Sequence, residues 1–137
     1  MTLPNRVVVL CDVDDTLLDN DAAEAAYKAH IVQHCGPQAA DRYWAIFEEL
    51  RTELGYADYL GALQRYRLEH LHDPRLLLMS SFLLDYPFAE LLYPQALDVL
   101  AHISAWGPTV ILSDGDAVFQ PRKVERSGLR AAVAATC

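Results

Sequence analysis

Hydrophobic and polar positions divide the chain into two short apolar runs with a long stretch of helical periodicity between them. Residues 6–12 enclose a continuous apolar, largely β-branched run, Val7 to Cys11, without alternation, which predicts a buried strand of the parallel type. From about residue 21 to 105 apolar residues recur at three- and four-residue steps. Ala22, Ala26, Tyr27 and Ile31 make the face of a first predicted helix, stopped by Gly36-Pro37. Tyr43, Phe47, Leu50 and Leu54 predict a second, ended by Gly55, and Tyr59, Leu60, Leu63 and Tyr66 a third. Asp73-Pro74 opens a fourth, with Leu76 to Met79 inside it and Tyr86-Pro87 breaking it. A fifth starts near Pro94 and carries Leu97, Leu100, Ala101 and Ser104 to the stop at Gly107-Pro108. Thr109 to Leu112 predicts a second strand, and a last helix covers about 117–127, before Ser127-Gly128. No repeat, low-complexity segment or flexible linker interrupts this order.

Strand, helical module, strand is an α/β arrangement with an insertion. In open parallel sheets ligands bind at the carboxyl ends of strands, and here both predicted strands end in polar clusters, residues 12–16 and 113–116. The first is the more informative. Asp12, Asp14 and Asp15, followed by Thr16, put three carboxylates at the tip of an apolar strand. Clustered carboxylates resist desolvation unless a cation or a reacting group justifies them. In an extended strand end Asp12 and Asp14 point to one side, so one can attack while the other moves a proton. Asp19 and Asn20 read as caps or hinge residues.

The motif Asp12-x-Asp14-x-Thr16 after a hydrophobic strand resembles the first motif of the haloacid dehalogenase-like (HAD) superfamily. The resemblance implies a Rossmann-like parallel-sheet core with an all-helical, C1-type cap: core at 1–19 and 91–137, cap at 20–90. It implies that Asp12 is a nucleophile that becomes an aspartyl-phosphate, that Asp14 is the general acid/base, and that Asp12 and the Asp14 carbonyl bind Mg2+. The name-giving dehalogenases usually lack the second aspartate, so Asp14 points to phosphoryl chemistry. Asp15 stands where many members have glycine. Thr109 to Gly115 resembles the second motif, implying that the Ser113 hydroxyl and the Asp114 N–H hold a phosphate oxygen while Gly115 lets the chain turn. Thr16 falls in the same phosphate-binding set.

The family's third motif supplies a lysine and its fourth further acids for the metal. This chain has two lysines, Lys28 and Lys123, and no acid after Glu125. Lys123 lies ten residues past Ser113, earlier than the usual third-motif lysine. Beside Arg122 and Arg126 it reads first as part of a solvated helical face, with contact to substrate phosphate as the alternative. The chain is thus expected to hold an incomplete core, to bind metal weakly, and to self-associate through an unpaired sheet edge. The expected activity is Mg-dependent hydrolysis of a small phosphorylated metabolite. The alternative is a truncated or degenerate relative without catalysis, at most binding phosphate or metal. A receiver-like phosphoacceptor domain also uses clustered aspartates, but the long insertion does not suit it.

Size and composition fit this picture. The chain has 137 residues, one ordinary domain, with 53% hydrophobic and 22% charged residues. A net charge of −8 argues against nucleic acid or an anionic membrane as partner. Cys11, Cys35 and Cys137 have neither metal nor disulfide spacing, which fits a reducing compartment, and Cys11 reads as a small buried hydrophobe. No signal peptide or membrane span is apparent, so the cytoplasm is expected. His30 and His34 share a helix face without a third ligand. Tyr43, Trp44, Phe47, Tyr56, Tyr59 and Tyr66 read as the core of the helical module.

Overall fold

A computed structural model describes residues 7–134. Among them two strands, β1 (Val9–Cys11) and β2 (Thr109–Ile111), form a parallel pair in the register Val9 to Thr109, Leu10 to Val110 and Cys11 to Ile111. Both are shorter than the sequence predicts: pairing stops where the chain turns away at Asp12 and Leu112, and residue 6 lies outside the described residues. Between the strands run α1 (Asn20–Cys35), α2 (Pro37–Leu54), α3 (Tyr59–Glu69) and α4 (Leu76–Asp85). A 3₁₀ turn (Phe88–Leu91) and α5 (Ala96–Ser104) follow. After β2 come α6 (Phe119–Arg126) and α7 (Leu129–Ala134).

Local chemistry sets these boundaries. Asp19 caps α1 by accepting from the Ala22 N–H at 3.0 Å, and Asp58 caps α3 through the Gly61 N–H at 2.8 Å. Gly55, at φ 82°, closes α2 in the left-handed conformation that favours glycine. Pro74 sits in the turn ahead of α4 rather than in its first turn, because Asp73 accepts from Arg75 and holds that turn.

The core is one continuous cluster from Val13 to Leu129. Its centre is aromatic. Tyr27, Tyr43, Phe47 and Tyr66 are all but inaccessible, and edge-on pairs such as Tyr27–Tyr43 (5.5 Å, 84°) and Tyr27–Trp44 (5.7 Å, 77°) lock α1 to α2. Each such pair contributes about 0.5–1.5 kcal/mol beyond area burial. The Tyr43 hydroxyl donates to the Tyr59 carbonyl at 2.8 Å, fixing the start of α3. Of the expected aromatic core, Trp44 and Tyr56 are only half-buried.

Several predicted faces rotate. Leu54 is exposed, and α2 buries Ala40 and Ile46 as well. In α5 the inward positions are Ala96, Leu100 and Ile103, not Leu97, Ala101 and Ser104, because the helix leans on β2 and α7. Within α4, Leu77 and Leu78 face outward while Met79 and Leu83 are buried. Cys11 is half-buried rather than buried. A short helix, α7, follows Gly128, where the sequence reading placed no element; Leu, Arg and Ala are good helix formers.

The helical segment leaves and returns through adjacent backbone. The Asp19 N–H donates to Leu91 O at 2.8 Å and the Tyr93 N–H to Leu17 O at 3.0 Å, so both ends are fixed beside the β1 tip. The opposite, outward face of the sheet carries Val8, Leu10, Val110 and Leu112, each more than two-fifths exposed. Among the described residues no helix is long and apolar enough to cross a membrane.

Candidate active site

The chain leaves β1 through a tight turn. Three successive N–H groups, of Thr16, Leu17 and Leu18, donate to the Val13 carbonyl, at 3.2, 2.9 and 3.1 Å. Val13 is fully buried and anchors the turn, while Asp12 and Asp14 on either side of it stay accessible. Asp15 takes φ 58°, a left-handed conformation that glycine adopts without strain. Its side chain offsets the strain by accepting from the N–H groups of Asn20 and Asp21, at 2.9 and 3.2 Å. Asp15 is therefore occupied in holding the turn and the start of α1.

Asp12 accepts from the Val13 N–H at 2.9 Å and from the Thr16 hydroxyl at 3.4 Å. With Ser113 and Asp114 it lines an open hollow of about 320 Å³ over the carboxyl ends of both strands, floored by Leu10, Cys11 and Leu112. The two polar clusters predicted from sequence thus meet in space. A second void, among Tyr27, Tyr59, Phe82 and Phe119 beside Asn20, measures about 10 Å³ and has room for a single water, whereas a hollow of about 430 Å³ lies on the other side of Ser113, among Gly115, Asp116 and Gln120.

Asp14 is engaged by α6. Its Oδ1 receives the Lys123 ammonium at 2.9 Å and its Oδ2 the Gln120 amide at 3.1 Å. Lys123 is 1% exposed, against the expectation of a solvated face. It donates also to Asn20 Oδ1 at 2.9 Å and lies 4.8 Å from the centre of the Phe119 ring. Burial pushes its ammonium below the ordinary lysine range, opposed by the charge of Asp14 and, more weakly, by Asp15 and Asp116. Its neighbours are engaged too: Arg122 and Arg126 donate to the carbonyls of Leu84 and Asp85, closing the end of α4. The spacing carried a signal for this. Phe119 and Lys123 are four apart and Gln120 and Lys123 three apart, so all three share one helix face, and Phe119 is buried.

Gln120, which the sequence reading did not single out, is 7% exposed. Its amide reaches Asp14, the Ser113 hydroxyl at 2.5 Å and the Asp114 carbonyl at 2.9 Å. Gly115, at φ 149°, leaves room for it: a Cβ there would lie 2.0 Å from Gln120 Cγ. Asp116 caps α6 through the N–H groups of Val118 and Phe119.

Among the described residues no group of three or more His, Cys, Asp or Glu side chains is placed to hold a metal. The His30 and His34 rings lie 4.5 Å apart, tilted by 52°, without a third ligand among the described residues. The oxygens at the β1 tip are hard donors of the kind magnesium takes, which keeps several waters and often uses one or two carboxylates plus substrate phosphate. They fit a magnesium ion completed by water and phosphate.

No protein-family model and no curated protein matches the chain. Solved structures do. A protein described as a haloacid dehalogenase-like hydrolase, from Burkholderia xenovorans LB400, is 65% identical, with a TM-score of 0.89 over 95% of this chain and 60% of its own. The L-2-haloacid dehalogenase of Xanthobacter autotrophicus, solved with chloropropionic acid covalently bound, is 25% identical, with a TM-score of 0.51 over 91% of this chain and 53% of its own. YfnB of Bacillus subtilis, a HAD hydrolase bound to magnesium, shares the fold at 22% identity, with a TM-score of 0.56 over 91% of this chain and 60% of its own. The chain spans no more than 60% of the length of these three structures. With the Asp12-x-Asp14-x-Thr16 turn and Ser113 at adjacent parallel strand ends, and with this likeness along nearly all of its length, the chain belongs to the haloacid dehalogenase-like superfamily.

Proposed function

We propose that the chain carries the nucleophile and the acid/base of a magnesium-dependent phosphohydrolase acting on a small phosphorylated metabolite. One observation supports this above others: Asp12, Ser113 and Asp114 line one open hollow at the carboxyl ends of β1 and β2. In this reading an Asp12 carboxylate oxygen attacks phosphorus, and the bond to the leaving-group oxygen breaks as that oxygen takes a proton from Asp14. Water then attacks the aspartyl-phosphate, Asp14 takes its proton back, and phosphate leaves. The Ser113 hydroxyl and Asp114 N–H hold phosphate oxygens, Gly115 keeps that turn open, and Thr16 orients Asp12. Asp12 and the Asp14 carbonyl hold magnesium, which when bound neutralises phosphate charge.

Helices α1 to α4 act as a cap and residues 91–137 complete the core begun by residues 1–19. The buried Lys123 supports a revised role for that residue: it balances Asp14 instead of contacting phosphate. Asp14 itself favours phosphoryl transfer over dehalogenation. The outward apolar face of the sheet, Val8, Leu10, Val110 and Leu112, supports self-association of the chain.

The test is magnesium-dependent phosphate release from para-nitrophenyl phosphate by the folded chain and by Asp12→Asn. Turnover lost in the variant is expected. A folded, magnesium-loaded chain that releases no phosphate favours the non-catalytic relative that binds phosphate or metal at most.

A further inference from the structure

Gln120 and Lys123 project from one face of α6 onto the two oxygens of a single carboxylate, Asp14. The motifs described above assign neither residue to that task. We propose that this pair is a positioning clamp for the general acid/base: Lys123 and Gln120 each fix one oxygen of Asp14, and Gln120 ties it to the phosphate-binding end of β2. The proposal rests on the phosphohydrolase reading.

The geometry supports it in three ways. The Asp14 carboxylate and the Asp114 carbonyl beside the Gln120 amide only accept, so its two N–H groups face them, with the Ser113 hydroxyl alongside. One side chain therefore sets the spacing between the leaving-group side of the site and the phosphate side. Lys123 is held in turn by Asn20 Oδ1 at the first residue of α1, so Asp14 is registered against the helical segment as well as the sheet. Finally, each carboxylate oxygen has a second lone-pair direction, so the clamp fixes Asp14 without blocking proton transfer.

An acid that must protonate a leaving group matters most when that group departs badly. The experiment compares kcat/KM of Gln120→Leu, Lys123→Met and Asp14→Asn on para-nitrophenyl phosphate and on an unactivated alkyl phosphate. General acid catalysis is worth roughly 100- to 10,000-fold. Misplacing the acid is expected to remove about 10- to 100-fold on the alkyl substrate and less than about threefold on the nitrophenyl one. Asp14→Asn should show the same asymmetry, more strongly. Equal losses on both substrates mean a structural role and overturn the clamp.

A measurement that needs no turnover accompanies this. The chain has two lysines, so lysine labelled with nitrogen-15 at the side chain gives two ammonium resonances. The Lys123 signal is expected to shift in Asp14→Asn and in Gln120→Leu, with Lys28 unmoved. A Lys123 signal indifferent to Asp14→Asn overturns the clamp directly. If the signals behave as expected but the unaltered chain turns over neither phosphate ester, the phosphohydrolase reading fails and the positioning role falls with it.

Discussion

Lys123 and Asp14 form a lopsided ion pair, and that asymmetry sets the sign of a stability experiment. The lysine side chain is 1% exposed and the aspartate side chain 31% exposed. Asp14→Ala strands a buried ammonium. Stranding a charge of this kind destabilises by about 3–5 kcal/mol; with the Asn20 carbonyl oxygen retained at 2.9 Å, the lower end, about 3 kcal/mol, applies. Lys123→Met keeps the volume, removes the desolvation penalty and leaves a carboxylate that still has Gln120 and water, so about 1 kcal/mol or less is expected. The double variant should lie within about 1 kcal/mol of Lys123→Met, a coupling of about 2 kcal/mol or more. Urea unfolding reads this out: the Asp14→Ala midpoint should fall by at least about 1 M relative to the unaltered chain. A pH series adds a check. Because the folded ammonium titrates below its unfolded counterpart, the unfolded state binds more protons between the two values, and stability rises with pH there. The Asp14→Ala deficit should therefore shrink as pH rises toward the ordinary lysine value of 10.5. The reasoning is refuted if Asp14→Ala is no less stable than Lys123→Met, or if the double variant is as unstable as Asp14→Ala.

Burial raises the phenols of Tyr27, Tyr43 and Tyr59 above the ordinary tyrosine value of 10.0, so the unfolded state loses those protons first. Stability present below about pH 10 should be lost above it, with tyrosinate absorbance appearing together with loss of helical circular dichroism; phenols titrating freely while the helices persist would contradict this. Tyr43→Phe leaves the Tyr59 carbonyl without its 2.8 Å donor and should lower stability by about 1–2 kcal/mol in chemical unfolding, with little change in m. Sedimentation should detect association of the unaltered chain that Leu10→Lys with Val110→Lys abolishes, since those adjacent residues centre the outward apolar face; a monomer at every concentration argues against association there.

Much of this fold follows from local chemistry that a sequence displays. Gly36-Pro37, Gly55 and Tyr86-Pro87 end their elements where expected, because φ preferences and missing donors act on the residues themselves, whereas α5 stops at Ser104, ahead of Gly107-Pro108. The two strand-end clusters were legible for the same reason: carboxylates and hydroxyls at the tip of an apolar run need explaining. Lys123 was misread because its environment is not local. Its partners stand 109 and 103 residues earlier, and beside Arg122 and Arg126 it looks like one charge among several on a wet face. Gln120 was missed because a glutamine amide carries no charge and no motif, only geometry. In α5, Leu97 and Ala96 offer competing apolar stripes, and tertiary packing on β2 and α7 chose the one containing Ala96.

The central claim is that Asp12 is a phosphoryl acceptor at the β1 tip, and acid-quenched mass spectrometry tests it most directly. The chain, loaded with magnesium and mixed briefly with para-nitrophenyl phosphate, should carry one phosphoryl group on the peptide containing Asp12, and Asp12→Asn should carry none. A phosphoryl group on another residue, or none in a chain that is turning over substrate, would contradict the account.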